Sequence, residues 1–327
     1  MEKKALFICC TPLQLLIARN IISLEPDFTY DLIFISPEIN HKYQNAYEKS
    51  MGFFIDSIII ELKNKVNILK KQDRREFNVA YGKIKEFTKN KNYHSLFLAN
   101  IDKKVILKFM SNKNFIRYIS FDDGIENLNT INGVLYKKDK KNFSNFLFKL
   151  NGVHLTREQV RSKLDYHYTI YPNHKNLTNK VIPISLKNEL KANNLNSLIK
   201  EIQPYNTISI FLGSPIENSN SSTYLEHPYE SILNKIKIDF YYPHPRENFY
   251  PNTKILDYPF IFEEFILELK LLKPNLDIKI YSFGSSVHLN LINLNNIQHT
   301  VINRKNIPIN SNILNIIKLY DIKIIEI

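Results

Sequence analysis

Two adjacent carboxylates form the first group in the sequence that could do chemistry. In "FDDGIEN" (121–127), Asp122 and Asp123 follow an apolar run, and Gly124 after them permits a tight turn. One carboxylate could act as a general base while its neighbour holds the loop or shifts its pKa. An ordinary Asp-Gly turn with an aspartate as helix cap also fits these residues, so both interpretations stay open.

A histidine between two prolines forms the second group. In "YYPHPREN" (241–248), Pro243 and Pro245 fix the backbone on either side of His244 and present its imidazole on a stiff loop. Such an imidazole could donate to an anionic leaving group. The alternative is a surface histidine in a polyproline-like turn.

Two serines follow a glycine in "YSFGSSVHL" (281–289). Ser285 and Ser286 offer hydroxyl and backbone N–H groups at the predicted start of a helix, which is typical of a phosphate site. The alternative is an ordinary serine N-cap.

An acidic pair, Glu263 and Glu264, begins the predicted helix of "YPFIFEEFILEL" (258–269). A carboxylate in this position could accept hydrogen bonds from ribose hydroxyls. The alternative is a pair of acids stabilised by the helix dipole.

Several familiar motifs are missing from the sequence. It contains no Asp-x-Asp pair, no P-loop and no GxGxxG, and its histidines and cysteines lack the spacing of a zinc site. We therefore predict a reaction that needs neither a metal ion nor a cofactor.

The elements that must position these groups alternate along the chain. Short apolar runs predict strands, and amphipathic runs between them predict helices, notably at 41–51, 77–89, 101–110, 222–236 and 261–272. The predicted strands form two series: 4–10, 31–36, 56–61, 94–100 and 115–121, then 207–213, 237–242, 277–283, 296–302 and 322–327. This alternation is typical of parallel sheets covered by helices. We predict an α/β protein with two Rossmann-like domains, residues 1–180 and 181–327, whose connection starts at "PNHKNLTNK" (172–180).

Ligands bind beyond the carboxyl ends of the strands in such sheets. Polar or glycine-bearing clusters follow the predicted strands at 11–12, 122–124, 213–215, 244–246 and 284–286. We expect these five clusters to converge on one cleft.

The N-terminus resembles the start of a secretory signal, but Thr11, Pro12 and Gln14 interrupt its apolar stretch and no small-x-small cleavage site follows. We predict a buried strand, then a helix that Thr11 caps and that has Pro12 in its first turn. No apolar run approaches the roughly 20 residues that span a bilayer. Of the 327 residues, only Cys9 and Cys10 are cysteines, and their adjacency excludes a disulfide scaffold. We expect a cytoplasmic protein.

The net charge is +12, from 44 Lys+Arg against 32 Asp+Glu. The stretch "YKKDKKNFSNFLFK" (136–149) combines lysines with Phe143, Phe146 and Phe148, a composition that suits peripheral docking on the anionic inner face of a membrane. A solvated loop leading into a helix whose phenylalanines face the core fits equally well. Nucleic acid is not an expected partner, since no RNP, KH or helix-turn-helix signature is present.

The order of these motifs resembles the bacterial sialyltransferases of glycosyltransferase family 52, the lipooligosaccharide sialyltransferase group. The resemblance covers most of the chain: "CCTPLQLLIA" (9–18), then "FDDGIEN", "YYPHPREN", the acidic pair after "YPF", and "FGSS". The Asp-Asp-Gly and His-Pro motifs also recur in other bacterial sialyltransferase and polysialyltransferase families. Those two motifs therefore indicate the chemistry better than the subfamily.

The resemblance implies a GT-B fold with two domains facing a central cleft, CMP-sialic acid as donor, a galactose-terminated glycan as acceptor, and a homodimer. It makes Asp123 the general base and His244 the group that stabilises the leaving phosphate. As further CMP contacts it implies Gly213, Ser214, Pro245, Glu263, Glu264, Ser285 and Ser286. As supports of the loop that carries Asp123 it implies Thr11, Pro12, Asp122 and Gly124. Pro243 before the histidine departs from the family pattern. Another nucleotide-sugar transferase, a polysialyltransferase and a non-enzymatic basic binding protein are the alternatives.

Overall fold

The chain forms two compact units, residues 1–186 and 187–327. The structure, a computed structural model, describes residues 3–128, 133, 135–137, 139, 142–187, 196–214, 230–244, 247, 251–305, 309 and 311–327. Both units are α/β sandwiches built on a parallel sheet, as the alternating pattern predicts.

The first unit contains a seven-stranded sheet in the order β3-β2-β1-β4-β5-β6-β7. Its strands are β1 (Lys3–Cys9), β2 (Phe28–Ser36), β3 (Asp56–Glu61), β4 (Ser95–Leu98), β5 (Arg117–Phe121), β6 (Tyr166–Thr169) and β7 (Val181–Pro183). Its helices are α1 (Pro12–Leu24), α2 (His41–Met51), α3 (Lys71–Phe87), α4 (Lys104–Asn112), α5 (Phe143–Leu150) and α6 (Arg157–Ser162).

The second unit contains a five-stranded sheet in the order β12-β11-β10-β8-β9. Its strands are β8 (Thr207–Leu212), β9 (Phe240–Tyr242), β10 (Asp277–Ser282), β11 (Ile297–Asn303) and β12 (Lys323–Glu326). Its helices are α7 (Asn196–Ile202), α8 (Glu230–Ile236), α9 (Phe262–Leu272), α10 (Val287–Asn290) and α11 (Ser311–Leu319). The predicted helix 222–236 begins among residues that lie outside the described part of the chain.

All these strand pairs are parallel, which explains the apolar composition of the central strands. Helices cover both faces of a parallel sheet, so its central strands are apolar throughout instead of alternating. In β1, every residue from Ala5 to Cys9 is fully buried, and Phe7 stacks on Phe97 of β4 with ring centroids 4.4 Å apart. The central strands are therefore rigid supports for the loops at their carboxyl ends.

Two strands, β6 and β7, were not predicted from the sequence, so the predicted start of the connection between the domains falls inside the first unit. Strand β7 pairs with β6 through the register His167↔Val181, so "PNHKNLTNK" (172–180) is a loop inside the first sheet. Strand β6 contains the polar residues His167 and Thr169, and β7 has only three residues and ends at Pro183, so a search for apolar runs does not find either strand. Residues 181–186, assigned from sequence to the second domain, belong to the first unit.

The lysine- and phenylalanine-rich stretch divides its aromatic rings between the core and the solvent. Phe148 is buried and packs edge-on against Phe77, with ring centroids 5.6 Å apart. Phe143 and Phe146 remain 64% and 55% exposed. The interpretation in which the phenylalanines face the core therefore holds for Phe148 and not for Phe143 or Phe146. Among the described residues, no helix combines the length and apolarity needed to cross a membrane.

Candidate functional site

Asp123 lies where three neighbouring strands of the first sheet end. Its Oδ2 accepts a hydrogen bond from the side-chain amide of Asn100 at 3.1 Å, just beyond β4. Its Oδ1 accepts one from the side-chain amide of Gln14, in the first turn of α1 after β1. Each carboxylate oxygen keeps further acceptor capacity, because an ionised carboxylate offers about four lone-pair sites. The side chain is partly exposed, so a substrate hydroxyl can use that capacity.

Gln14 is held as firmly as the aspartate it supports. Its side chain is fully buried, and its Oε1 accepts the backbone N–H of Cys10 at 2.6 Å. Its backbone N–H donates to the Thr11 hydroxyl at 3.3 Å, so Thr11 caps α1 with Pro12 at the first turn, as predicted. Thr11 and Pro12 thus support the loop of Asp123 indirectly, because they place Gln14.

Asn100 is fixed in the same way from the other side of Asp123. Its Oδ1 accepts the backbone N–H groups of Asp102 and Lys103 at 2.9 and 3.0 Å, at the start of α4. Both donors to Asp123 therefore arrive with their amide orientation fixed by backbone contacts. A carboxylate clamped in this manner needs little reorganisation to accept a proton.

Burial raises the pKa of the Asp123 carboxyl above its ordinary value. The hydrogen bonds from Asn100 and Gln14 and the charge of Lys103 oppose that rise, while the neighbouring Asp122 adds to it. A base with a raised pKa is better matched to taking a proton from a hydroxyl.

Asp122 has a different task, although it stands beside Asp123. It is fully buried, and its oxygens accept from the Thr169 hydroxyl at 3.1 Å and the Ile170 backbone N–H at 2.6 Å. His167 Nε2 lies 3.0 Å from Oδ1, and the Asn127 amide also donates to it. Asp122 therefore ties the loop after β5 to the end of β6. Gly124 adopts φ +61°, a left-handed conformation that favours glycine, and begins the 3-10 turn Gly124–Leu128.

In the second unit, Glu247 organises the loop that carries His244. Glu247 is buried, and its Oε2 accepts the backbone N–H of His244 at 2.8 Å. Its Oε1 accepts the hydroxyl of the fully buried Tyr241 at 2.8 Å. His244 itself is partly exposed. Pro245, predicted as a CMP contact, lies outside the described residues.

Gly213 leaves room for this carboxylate. A Cβ atom at position 213 would overlap Glu247 Oε2 and come within 2.6 Å of the Tyr241 hydroxyl. The backbone N–H of Gly213 donates to Tyr242 at 2.9 Å, which joins the ends of β8 and β9. Ser214 follows and is partly exposed. The position therefore requires glycine for space.

The two serines follow β10 in a turn built around Ser282. The Ser282 hydroxyl accepts the backbone N–H groups of Gly284 and Ser285 at 3.1 and 2.9 Å. Gly284 has φ +90°, which favours glycine at this position. Ser285 Oγ accepts the N–H of Val287 at 3.3 Å, while the side chain of Ser286, at the N-cap position of α10, makes no capping bond. Both side chains are partly exposed.

A buried pair of histidines supports this turn. His288 Nε2 lies 2.8 Å from the Ser282 hydroxyl, and His288 Nδ1 lies 3.1 Å from His299 Nδ1. Burial lowers the pKa of His288 to about 3 and that of His299 to about 4, so both rings are neutral at neutral pH. Since Ser282 already accepts two N–H groups, its own proton points to Nε2 of His288.

The acidic pair begins α9, as predicted, and both side chains are buried. Glu263 Oε1 accepts the side-chain amide of Asn290, on α10, at 2.6 Å. Burial raises the pKa of Glu263. Glu263 is thus the member of the pair that is linked to the helix after the serines. The predicted residues Gly213 and Ser214, His244, and Ser285 and Ser286 follow the three adjacent strands β8, β9 and β10.

Sequence reasoning did not assign roles to several residues that hold these loops: Gln14, Asn100, Asn127, His167, Thr169, Glu247, Ser282 and His288. Five of them, Gln14, Asn127, Glu247, Ser282 and His288, lie inside quoted motifs. Gln14 was visible as a polar residue on an otherwise apolar helix, which indicates a buried hydrogen bond. The others depend on strands that are remote in sequence. Within the described ranges, no group of three or more His, Cys, Asp or Glu side chains has the arrangement of a metal site.

A family model and the known relatives of this chain indicate the same family. The model of glycosyltransferase family 52 matches residues 29–306. The N-acetyllactosaminide alpha-2,3-sialyltransferase of Haemophilus influenzae is 28% identical over 311 residues, covering 93% of each chain. The CMP-N-acetylneuraminate:beta-galactoside alpha-2,3-sialyltransferase of Pasteurella multocida is 28% identical over 296 residues, covering 88% of this chain and 87% of the relative. An N-acetyllactosaminide alpha-2,3-sialyltransferase of Neisseria meningitidis is 24% identical and covers 94% and 80%.

Solved structures agree on the fold. The spinosyn forosaminyltransferase SpnP superposes with a TM-score of 0.56 at 8% identity, covering 99% of this chain and 86% of that chain. The glycotransferase of kitacinnamycin gives a TM-score of 0.54 at 8% identity, covering 100% and 87%. Both are GT-B glycosyltransferases, and the two parallel-sheet units described above have the GT-B fold that was predicted.

Proposed function

Because this chain belongs to glycosyltransferase family 52, we propose that it is an inverting, metal-independent sialyltransferase that uses CMP-sialic acid as donor. The acceptor that we propose is the terminal galactose of a lipooligosaccharide or related surface glycan. The linkage that we propose is α2,3, as named for relatives from three bacteria. Family membership makes the chain a glycosyltransferase, so the non-enzymatic alternative falls away.

The observation that carries the proposed mechanism is the clamped carboxylate of Asp123. Asp123 accepts the proton of the acceptor hydroxyl while that oxygen attacks the anomeric carbon of sialic acid. The bond between the anomeric carbon and the phosphate oxygen breaks, and its electron pair leaves with CMP. Attack from the face opposite the phosphate inverts the configuration from β to α. The transition state is oxocarbenium-like, as in other glycosyl transfers.

Groups of the second unit act on the donor in this proposal. His244 and the hydroxyls of Ser285 and Ser286 meet the negative charge that grows on the departing phosphate. The other proposed CMP contacts are Gly213, Ser214, Pro245 and one of the two glutamates. We assign the ribose contact to Glu263, because its carboxylate is bonded to Asn290 on the helix that follows the serines.

The test is a direct product analysis. The protein is incubated with CMP-sialic acid and lactose, and the product and its linkage are identified by NMR. We expect sialyllactose with the sugar on O3 of galactose. UDP- and GDP-sugars serve as donor controls, and a product from one of them but none from CMP-sialic acid would overturn the proposed donor. Addition of several sialic acids to one acceptor would favour a polysialyltransferase.

Metal independence is tested in the same assay. Activity should survive EDTA, because the phosphate is neutralised by His244 and serine hydroxyls in this mechanism. A complete loss that Mg²⁺ restores would contradict it.

We further propose a cytoplasmic location and a homodimer. The two cysteines, Cys9 and Cys10, are free and buried, which suits a reducing compartment. The homodimer follows only from the family resemblance. Analytical ultracentrifugation at several concentrations measures it, and a single species of 38.6 kDa at all concentrations would exclude it.

A further inference from the structure

Helix α5 carries apolar side chains on two faces. One face packs inward, where Phe148 joins the core of the first unit. The other carries Phe143, Phe146 and Leu150, whose side chains are 64%, 55% and 68% exposed. These positions are spaced i, i+3 and i+7, so they form one stripe along the helix. Phe143 and Phe146 stack on each other, with ring centroids 6.4 Å apart.

The surroundings of this stripe are cationic. Lys149 is exposed on α5 itself, and Lys137 is exposed shortly before it. In sequence, four of the five residues 137–141 are lysines, and they immediately precede the helix cap Asn142. Asp139 is the one acid among them, and its Oδ1 lies 3.0 Å from Arg157 Nη2, so it does not cancel their charge.

We propose that the Phe143–Phe146–Leu150 stripe of α5 docks on the surface of an anionic phospholipid bilayer, with the neighbouring lysines contacting lipid headgroups. A short amphipathic helix with aromatic side chains on one face and lysines beside it is suited to lie in the membrane interface. Each lysine near an anionic surface strengthens attachment about fivefold, from about 1 kcal/mol per cation. A second copy of the chain is a poorer occupant, because a symmetric contact would bring the same lysines together.

The proposal goes beyond glycosyl transfer, since attachment is measured without donor or acceptor. The first experiment is co-sedimentation with vesicles of phosphatidylcholine alone or mixed 1:1 with phosphatidylglycerol. We expect binding to the anionic vesicles that weakens as salt is raised. Equal binding to both vesicle types, or to neither, would overturn the proposal.

Variants locate the docking face. The triple variant Phe143→Ser, Phe146→Ser and Leu150→Ser should bind anionic vesicles at least about tenfold more weakly, and Lys149→Glu about fivefold or more. The control variant Leu271→Ser, Leu272→Ser and Leu319→Ser removes three similarly exposed side chains of the second unit and should bind like the unchanged protein. Unchanged binding by the triple variant would overturn the proposal. So would conversion of a dimer to monomers in ultracentrifugation, because that would make the stripe an interface between copies.

The absence of tryptophan from the sequence offers a second measurement that does not depend on the triple variant folding. Phe146→Trp places a single indole in the stripe, and Leu271→Trp places one on the control surface. With anionic vesicles, the emission of the first should shift to the blue and be quenched by brominated lipid, while the second should not change. A Phe146→Trp spectrum that vesicles leave unchanged would overturn the proposal.

Discussion

The side chain of Gln14 bridges the end of strand β1 and the carboxylate of Asp123: its amide donates to Asp123 Oδ1 while its carbonyl oxygen accepts the N–H of Cys10. This bridge spans 109 residues of sequence and joins the two motifs of the first unit. The start of helix α1 therefore sets the orientation of the proposed base, Asp123.

Replacing Asp123 by Asn should nearly abolish transfer and leave CMP binding intact, because the amide cannot take the acceptor's proton. Its stability should fall by about 1 kcal/mol, because one of the two oxygens that accept from Asn100 and Gln14 becomes an amide N–H₂ group and loses its hydrogen bond. Initial rates and calorimetric titration with CMP measure the two effects. Asp122→Asn is the matched control: it disturbs a buried carboxylate that receives several donors, so it should lose about 2 kcal/mol of stability. Equal transfer by Asp123→Asn would remove Asp123 from the role of base.

Replacing Gln14 by Met should shift the pH dependence of transfer. Asp123 must be ionised to act, so kcat/KM rises with pH through its raised pKa. Loss of the hydrogen bond from Gln14 destabilises the ionised carboxylate of Asp123. The rise of kcat/KM with pH, the acidic limb of the profile, therefore moves to higher pH. Asn20→Leu changes another buried amide of α1, one that donates to Leu16, and should leave the limb in place. Identical profiles for Gln14→Met and the unchanged protein would show that Gln14 only stabilises the fold.

Replacing His244 by Ala should slow transfer about 100- to 1000-fold, the usual cost of removing one preorganised donor to developing charge. Single-turnover rates at saturating donor measure the effect on the chemical step. The exposed His154 of the first unit provides the control, and His154→Ala should react at the unchanged rate. A His244→Ala rate within about threefold of normal would be incompatible with the proposed role.

Replacing Gly213 by Ala should weaken CMP binding. The new Cβ displaces the Glu247 carboxylate, which then loses its hydrogen bonds to His244 and Tyr241, each worth about 1.5–3 kcal/mol as a charged bond. Gly82→Ala, in the middle of α3 with no atom near the added methyl, should be neutral or stabilising. Calorimetry with CMP and thermal unfolding compare the two. Normal CMP affinity in Gly213→Ala would refute the coupling between Gly213 and the His244 loop.

The buried histidine pair should make stability fall in acid. Unfolded histidine titrates near 6.5, whereas the pKa of His288 is about 3 and that of His299 about 4 in the folded chain. Below about pH 6.5 the unfolded chain binds protons that the folded chain does not, so each ring removes up to about 1.4 kcal/mol of stability per pH unit. Urea unfolding between pH 7 and 5 should give a shallower slope for His299→Gln than for the unchanged protein. Equal slopes would contradict the neutral, buried state of this pair.

Much of this molecule follows from local sequence. The predicted strands 4–10, 31–36 and 277–283 correspond to β1, β2 and β10, because central strands of parallel sheets are continuous apolar runs. Thr11 before Pro12 sets the start of α1 for a purely local reason. Strands β6 and β7 were missed because β6 is short and polar and the edge strand β7 has only three residues, and the pairing of β6 with β5 and of β7 with β6 is a tertiary event.

The candidate site likewise combines features that local sequence predicts with features that depend on tertiary contacts. Local sequence is sufficient to predict the two series of strands, the polar residues that end them and hence the family, because burial and turn formation depend on near neighbours. Contacts formed in the folded chain distinguish the two aspartates, since Asp122 is a buried tie and Asp123 is partly exposed, and they also let Glu247 hold the backbone N–H of His244. Those distinctions rest on hydrogen bonds from distant segments, such as Thr169 to Asp122 and Gln14 to Asp123, and no local pattern encodes which of two adjacent carboxylates will receive them.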